Sequence, residues 1–64
     1  MTLVQEFVRR RLEAPTDPDK KVLFAVLGNL FGRSGFDGEW DGIDQETREE
    51  ILETNLEIVR ANLP

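Results

Sequence analysis

Carboxylates at alternate positions of a glycine-rich stretch give this sequence its first candidate chemistry. Three acids and a glycine match positions 1, 3, 5 and 6 of an EF-hand loop, in which alternate carboxylates bind calcium and the glycine makes a sharp turn: Asp37, Glu39, Asp41 and Gly42. The second half of the motif does not match, because Arg48 stands where the bidentate glutamate is needed. A calcium-binding helix-loop-helix with a degenerate EF-hand-like loop is therefore the alternative to a plain loop whose acids face solvent.

The residue types that most enzymes and transition-metal sites depend on are absent from the chain. It has no Cys, no His and no Tyr, which removes the usual general base near neutral pH, the usual zinc and haem ligands and the thiolate nucleophile. Catalysis would have to rest on carboxylates, lysines or the lone Ser34. We therefore expect no enzyme and no cofactor. The absence of Cys, the absence of a secretory signal pattern and the shortness of the longest apolar run favour a cytoplasmic protein without a membrane segment.

The formal charge of −5 is unevenly distributed along the sequence. Residues 1–35 carry six basic against four acidic side chains, whereas residues 36–64 carry two against nine. Phosphate groups would be repelled by such an acidic half, so nucleic acid and anionic membranes are not expected as partners. A protein partner with a basic surface is the expectation instead.

Acidic residues also follow a helical period in the C-terminal part of the chain. Four glutamates recur at steps of four, three and four, which places them on one side of a helix: Glu46, Glu50, Glu53 and Glu57. Together with Trp40 they form the predicted partner-binding surface. Trp40 has two interpretations, a lid over the hydrophobic core or an exposed anchor for a partner.

A basic cluster in the N-terminal half has a weaker pattern. Arg9, Arg10, Arg11, Lys20 and Lys21 have no aromatic residues among them and belong to an acidic protein. We interpret them as a solvated face.

The elements that must position these groups are predicted to be helices. Residues 22–31, VLFAVLGNLF, are apolar over more than half of a helical circumference, so we expect this segment to be a central helix covered by its neighbours from more than one direction. Thr2 with Gln5 forms a capping box, Asp17 with Pro18 starts a second helix, and Gly32 is expected to end that helix in the left-handed conformation.

The predicted fold is a single all-α domain over residues 1–64, with helices at about 3–14, 18–31 and 45–62. The first two helices are expected to form an antiparallel pair, with Leu12 in the buried stripe of the first. A Gly-rich loop over residues 32–43 leads to a longer, acidic third helix.

Polar residues interrupt the apolar face of the third helix every seven positions. Arg48, Asn55 and Asn62 cannot all be satisfied by a core of aliphatic and aromatic side chains, so a second copy of the chain is one explanation. The interface of this expected homodimer contains five residues: Arg48, Ile51, Asn55, Ile58 and Asn62. The other explanation is a partly exposed seam with Arg48 extending past the helix end.

These patterns together favour a non-enzymatic protein-protein interaction module. A small acidic inhibitor or adaptor of the kind carried by phages and mobile elements fits the size and charge, with the glutamates acting as a rough mimic of a nucleic-acid backbone.

Overall fold

The computed structural model describes all residues 1–64 and contains helices but no strand. The helices are α1 (Leu3–Val8), α2 (Pro18–Phe31), α3 (Phe36–Asp41) and α4 (Gln45–Asn62). The predicted all-α class is therefore confirmed. The predicted number of helices is wrong, because the stretch expected to be an uninterrupted loop contains α3.

Helix α1 begins as predicted but ends six residues early. The backbone N–H of Gln5 donates to the Thr2 hydroxyl at 3.2 Å, and the Thr2 N–H donates to the Gln5 side-chain oxygen at 3.0 Å. At the other end, the Arg10 side chain folds back, so that its Nη1 donates to the Phe7 carbonyl oxygen at 2.9 Å. This bond caps a carbonyl at the end of the helix. Leu12 then lies in the following turn and is 84% exposed rather than buried.

The glycine that adopts the left-handed conformation is Gly35 and not Gly32. Gly32 ends α2 as its C-cap, as predicted, but with φ −79°, and the chain reverses only at Gly35, where φ is +88°. A positive φ is available to glycine without the steric cost that a Cβ would impose. The reversal places α3 directly against the end of α2, where Phe36 stacks near Phe31 with 5.1 Å between ring centroids.

Helix α4 organises the core, because it packs on both α2 and α1. Leu52 of α4 is fully buried, and the other buried side chains come from α1, α2 and α4: Val4, Phe7, Leu23, Phe24, Leu27 and Leu56. The expected antiparallel pair of α1 and α2 is not a main contact of the fold. These two helices meet chiefly at Phe7, whose ring lies 5.5 Å from that of Phe24 and 5.0 Å from that of Phe31.

One side of α2 has no covering element, contrary to the expectation that its neighbours would enclose it. Leu23, Phe24 and Leu27 are buried, whereas Val22 and Val26 are exposed at 42% and 54%. The apolar arc of α2 is thus wider than the area that α1, α3 and α4 cover. No helix of the fold combines the length and hydrophobicity that a membrane crossing requires.

Candidate functional site

The four glutamates of α4 lie on one exposed flank of the helix, as their spacing predicts. Asp44 fixes the start of this helix, since its carboxylate accepts the Thr47 N–H at 3.1 Å and the Thr47 hydroxyl at 2.7 Å. Both bonds lower the pKa of Asp44 from its ordinary value of 3.8. The flank that follows is made of exposed side chains, none of which takes part in an ion pair or side-chain hydrogen bond: Glu46, Glu50, Glu53 and Glu57. We call this set the acidic stripe.

The acidic stripe borders an open depression of about 510 Å³ between the start of α1 and the middle of α4. Glu53 and Glu57 of the stripe line one wall, together with Glu49, whose carboxylate accepts the Gln45 side-chain amide at 3.1 Å. Apolar atoms come from Met1, Leu3 and Leu56. The depression therefore combines free carboxylates with a small apolar floor.

The basic side chains around this depression are already paired with other acids. Lys20 lies 2.9 Å from the Glu6 carboxylate, and this hydrogen bond raises the pKa of Lys20 above 10.5. Arg60 forms an ion pair with Asp19, and its side-chain hydrogen bond is the main cause of the lowered pKa of Asp19. The negative charge of the stripe is consequently not neutralised from within the chain.

Trp40 does not share a surface with the acidic stripe, although the two were predicted to act together. Its ring packs against Phe31 with 5.1 Å between centroids, and the guanidinium carbon of Arg48 lies 5.8 Å from the Trp40 ring centroid. Glu57 is nine residues beyond Arg48 and points about 180° away from it at 100° per residue. Trp40 is partly buried against the core, so the contacts support the interpretation as a lid.

The polar residues of the predicted dimer interface find their partners inside the chain. The side-chain amide of Asn55 donates to the Ile51 carbonyl oxygen at 2.7 Å, and that of Asn62 donates in the same way to Ile58 at 2.8 Å. Arg48 donates to two backbone carbonyls at the end of α3. Contrary to the prediction, these residues therefore need no second copy to satisfy their hydrogen bonds. The seam is instead a partly exposed face on which Asn55, Ile58 and Asn62 are exposed.

The carboxylates of the calcium alternative are spread around a helix rather than gathered in a loop. Asp37, Glu39 and Asp41 all lie within α3, where Glu39 points away from the other two because successive residues turn by 100°. The Asp37 carboxylate accepts the Gly38 N–H at 2.9 Å. No group of three or more acidic side chains in the chain is arranged to hold a metal ion. The structure thus does not bring the ligands of an EF-hand together.

The basic cluster of the N-terminal half is also divided. Arg9 pairs with Glu13 at 3.1 Å, Lys20 pairs with Glu6, and the Arg10 guanidinium lies 4.1 Å from the centroid of the Phe7 ring. These three side chains are engaged within the chain, while Arg11 and Lys21 are exposed and take part in no ion pair.

One surface was not predicted from the sequence, namely the uncovered side of α2. Val22, Val26 and Leu30 recur at steps of four and are exposed. They were assigned to the core because they are apolar. The signal that could have identified them is the width of the apolar arc, which exceeds what two or three short neighbours can cover.

The chain has no match among protein families, curated proteins or solved structures.

Proposed function

We propose that this protein is a non-enzymatic interaction module that binds a basic protein surface through the acidic stripe. The observation that carries the proposal is the set of four exposed glutamates on one flank of α4, none of them paired within the chain. Like charges at these spacings repel and cost the isolated helix a few tenths of a kcal/mol per pair. A partner with lysines or arginines would turn that cost into attraction.

The charge density of the stripe is too low for a close mimic of duplex DNA and fits a partner protein with a few basic residues. At 1.5 Å of rise per residue, the four carboxylates span about 16 Å, or one charge per about 5 Å. Duplex DNA carries one charge per about 1.7 Å. The stripe has roughly a third of that density, so its partner needs only a few well-placed cations. An inhibitor or adaptor of the phage or mobile-element kind remains our proposal for the wider class.

Charge complementarity alone would raise the association rate and the selectivity of this interaction more than its affinity. Exposed ion pairs contribute about 0.2–1 kcal/mol each, whereas complementary charge accelerates association strongly at low salt. The remaining affinity must come from apolar contact, for which the neighbouring depression offers Met1 and Leu3. We therefore expect the partner to present basic residues beside an apolar side chain.

The test is affinity capture from a native lysate with two charge-reversed variants of equal charge change. Glu50→Lys with Glu53→Lys alters the stripe, while Glu39→Lys with Asp41→Lys makes the same change on α3. All four positions are exposed, and none of these side chains has a partner in the fold. We expect wild type and the α3 variant to retain the same protein, and the stripe variant to lose it.

The captured protein then allows association rates to be measured across ionic strength. The difference between wild type and the stripe variant should be largest at low salt and shrink as salt screens the charges. Equal capture by both variants, or a difference that does not depend on salt, would show that the stripe is only a solvated face.

A further inference from the structure

Residues 1–14, which we call the N-terminal segment, are joined to the rest of the fold by a single hydrogen bond. Every backbone hydrogen bond of the segment stays within it, and so do all but one of its side-chain bonds. The exception is the ion pair between Glu6 and Lys20, at 2.9 Å. Arg10, which closes α1, also bonds to a carbonyl oxygen of the same segment. The polar contacts of this segment therefore do little to fix it in place.

Two apolar side chains supply most of the remaining attachment. Val4 and Phe7 are the only buried residues of the segment, whereas Val8 and Leu12 are 69% and 84% exposed. The hydrophobic cluster to which the two belong is completed by five residues of α2 and α4: Leu23, Phe24, Leu27, Leu52 and Leu56. A short helix with apolar anchors three positions apart thus docks on two longer helices, as amphipathic helices do when they bind in a groove.

The charges beside this docking site favour a different occupant. Glu6 of α1 lines the same depression as three glutamates of α4: Glu49, Glu53 and Glu57. Only Lys20 and Arg60 oppose these four carboxylates there, and Arg60 is engaged by Asp19. A helix with a lysine or arginine in the place of Glu6 would turn repulsion from α4 into attraction. Lys20 would then still have Asp17, whose carboxylate lies 4.0 Å away.

We propose that the N-terminal segment is a displaceable cover, and that a basic amphipathic helix of the partner takes its place on α2 and α4. This inference rests on the proposed function, because the cations of that helix are the ones that the acidic stripe would bind. Apolar residues of the incoming helix fill the positions of Val4 and Phe7 and so supply the apolar contact that exposed ion pairs lack. The apparent affinity is reduced by the fraction of molecules in which the segment stays docked.

The probe for the test is a synthetic amphipathic helix of leucine and lysine, with a peptide that has glutamate in place of every lysine as its control. Fluorescence anisotropy of the labelled peptides measures their binding to the full chain. We expect the lysine peptide to bind and the glutamate peptide to remain free. The stripe variant, Glu50→Lys with Glu53→Lys, should bind the lysine peptide more weakly than wild type does.

Loosening the segment should strengthen binding if the segment competes with the peptide. Val4→Ala removes buried contacts of the segment and is expected to bind the lysine peptide about tenfold more tightly than wild type. Val8→Ala removes the same atoms from an exposed position of the same helix and should bind like wild type. Glu6→Gln weakens the one polar attachment without opening a cavity, so it should also tighten binding even if Val4→Ala folds poorly.

Thiol labelling reports displacement directly, because the chain contains no Cys. Val4→Cys places a single thiol at a position that is 7% exposed while the segment is docked, and Val8→Cys places one at a position that is 69% exposed. The lysine peptide at saturation should accelerate the alkylation of Val4→Cys by iodoacetamide. The alkylation rate of Val8→Cys should not change, since that position is accessible in both states.

Three outcomes would overturn the inference. If the stripe variant loses the lysine peptide but the peptide does not accelerate alkylation of Val4→Cys, the stripe binds a basic helix beside the docked segment. The proposed function would then stand, and displacement would be wrong. Equal binding of both peptides, or of neither, would show that the site does not select a basic helix. Weaker binding by Val4→Ala and Glu6→Gln would show that the segment belongs to the binding surface and does not cover it.

Discussion

Arg48 ties α4 to the end of α3 by donating from its Nε to the Trp40 carbonyl oxygen at 3.1 Å. Its Nη2 donates to the next carbonyl oxygen, that of Asp41, at 2.9 Å. Two carbonyls at the C-terminal end of a short helix are thereby satisfied by one planar guanidinium. Arg48, which was predicted to lie in a dimer interface, therefore connects α4 to α3 within one chain.

Replacement of Arg48 by Lys should weaken this connection between α3 and α4, because an ammonium group cannot bind two successive carbonyls with the same planar geometry. Loss of a charge-assisted hydrogen bond predicts a decrease of about 1–2 kcal/mol in the free energy of unfolding. Urea denaturation followed by Trp40 fluorescence measures it. Arg33→Lys is the control, since Arg33 is exposed and its only side-chain bond, to Asn29, is 3.4 Å long. Equal midpoints for the two variants would contradict the expectation.

Leu52 and Leu12 should respond very differently to truncation. Leu52 is 0% exposed and Leu12 is 84% exposed. Leu52→Ala is expected to cost about 2–5 kcal/mol, which is comparable to the whole stability of so small a domain. Leu12→Ala should change stability by less than about 0.5 kcal/mol. Thermal unfolding followed by circular dichroism distinguishes them, and a large effect at Leu12 would mean that α1 extends beyond Val8 in solution.

Two glycines near α3 form a second matched pair. Gly35 has φ +88°, so Gly35→Ala should lower stability by about 1–2 kcal/mol through the left-handed backbone. Gly38 lies inside α3 with open space where a Cβ would stand. Gly38→Ala should raise stability by about 0.5–1 kcal/mol, because alanine loses less entropy in a helix. Chemical denaturation should show that the two substitutions change the free energy of unfolding in opposite directions. Changes in the same direction would contradict the left-handed turn at Gly35.

The N-cap of α4 should make stability depend on acid. The hydrogen bonds from Thr47 hold the pKa of Asp44 below its ordinary value of 3.8 in the folded chain. The ionised Asp44 carboxylate therefore contributes its full stabilisation above pH 3.8, and this stabilisation is lost as the pH falls through the lower pKa of the folded state. Asp44→Asn keeps a capping side chain without a titrating charge. Melting temperatures of this variant should fall less steeply below pH 4 than those of wild type; parallel curves would contradict this.

Calcium should leave the protein unchanged. Because Asp37, Glu39 and Asp41 are distributed around α3, millimolar calcium is expected to shift neither Trp40 fluorescence nor the melting temperature. A saturable shift in both, abolished by Asp37→Asn, would restore the calcium alternative.

Local signals allowed the sequence to predict the elements better than their assembly. The capping pair Thr2 and Gln5 and the Asp17-Pro18 start each act within one helical turn, and each marks an observed helix start. The early end of α1 has no such marker, because the sequence contains no proline or glycine between Val8 and Ala14.

The site shows the same division between local pattern and tertiary contact. The acidic stripe follows from period alone. The inward turn of Arg48 depends on where the carbonyls of α3 lie, whereas Asn55 and Asn62 each bond to the carbonyl four residues earlier in their own helix. The exposure of the uncovered side of α2 depends on how much of that helix its neighbours cover.

The shortness of α1 has a consequence for local unfolding. The helix has six residues and contributes only Val4 and Phe7 to the buried core. Its packing on α4 closes a long loop, which has an entropic cost. An element that makes few buried contacts and closes a long loop is typically among the parts of a native structure whose amides are least protected from hydrogen exchange. We therefore expect the amides of α1 to exchange with solvent deuterium before those of α4. Each such opening would free the aromatic face of α2 for a moment, without unfolding the helix that carries the acidic stripe.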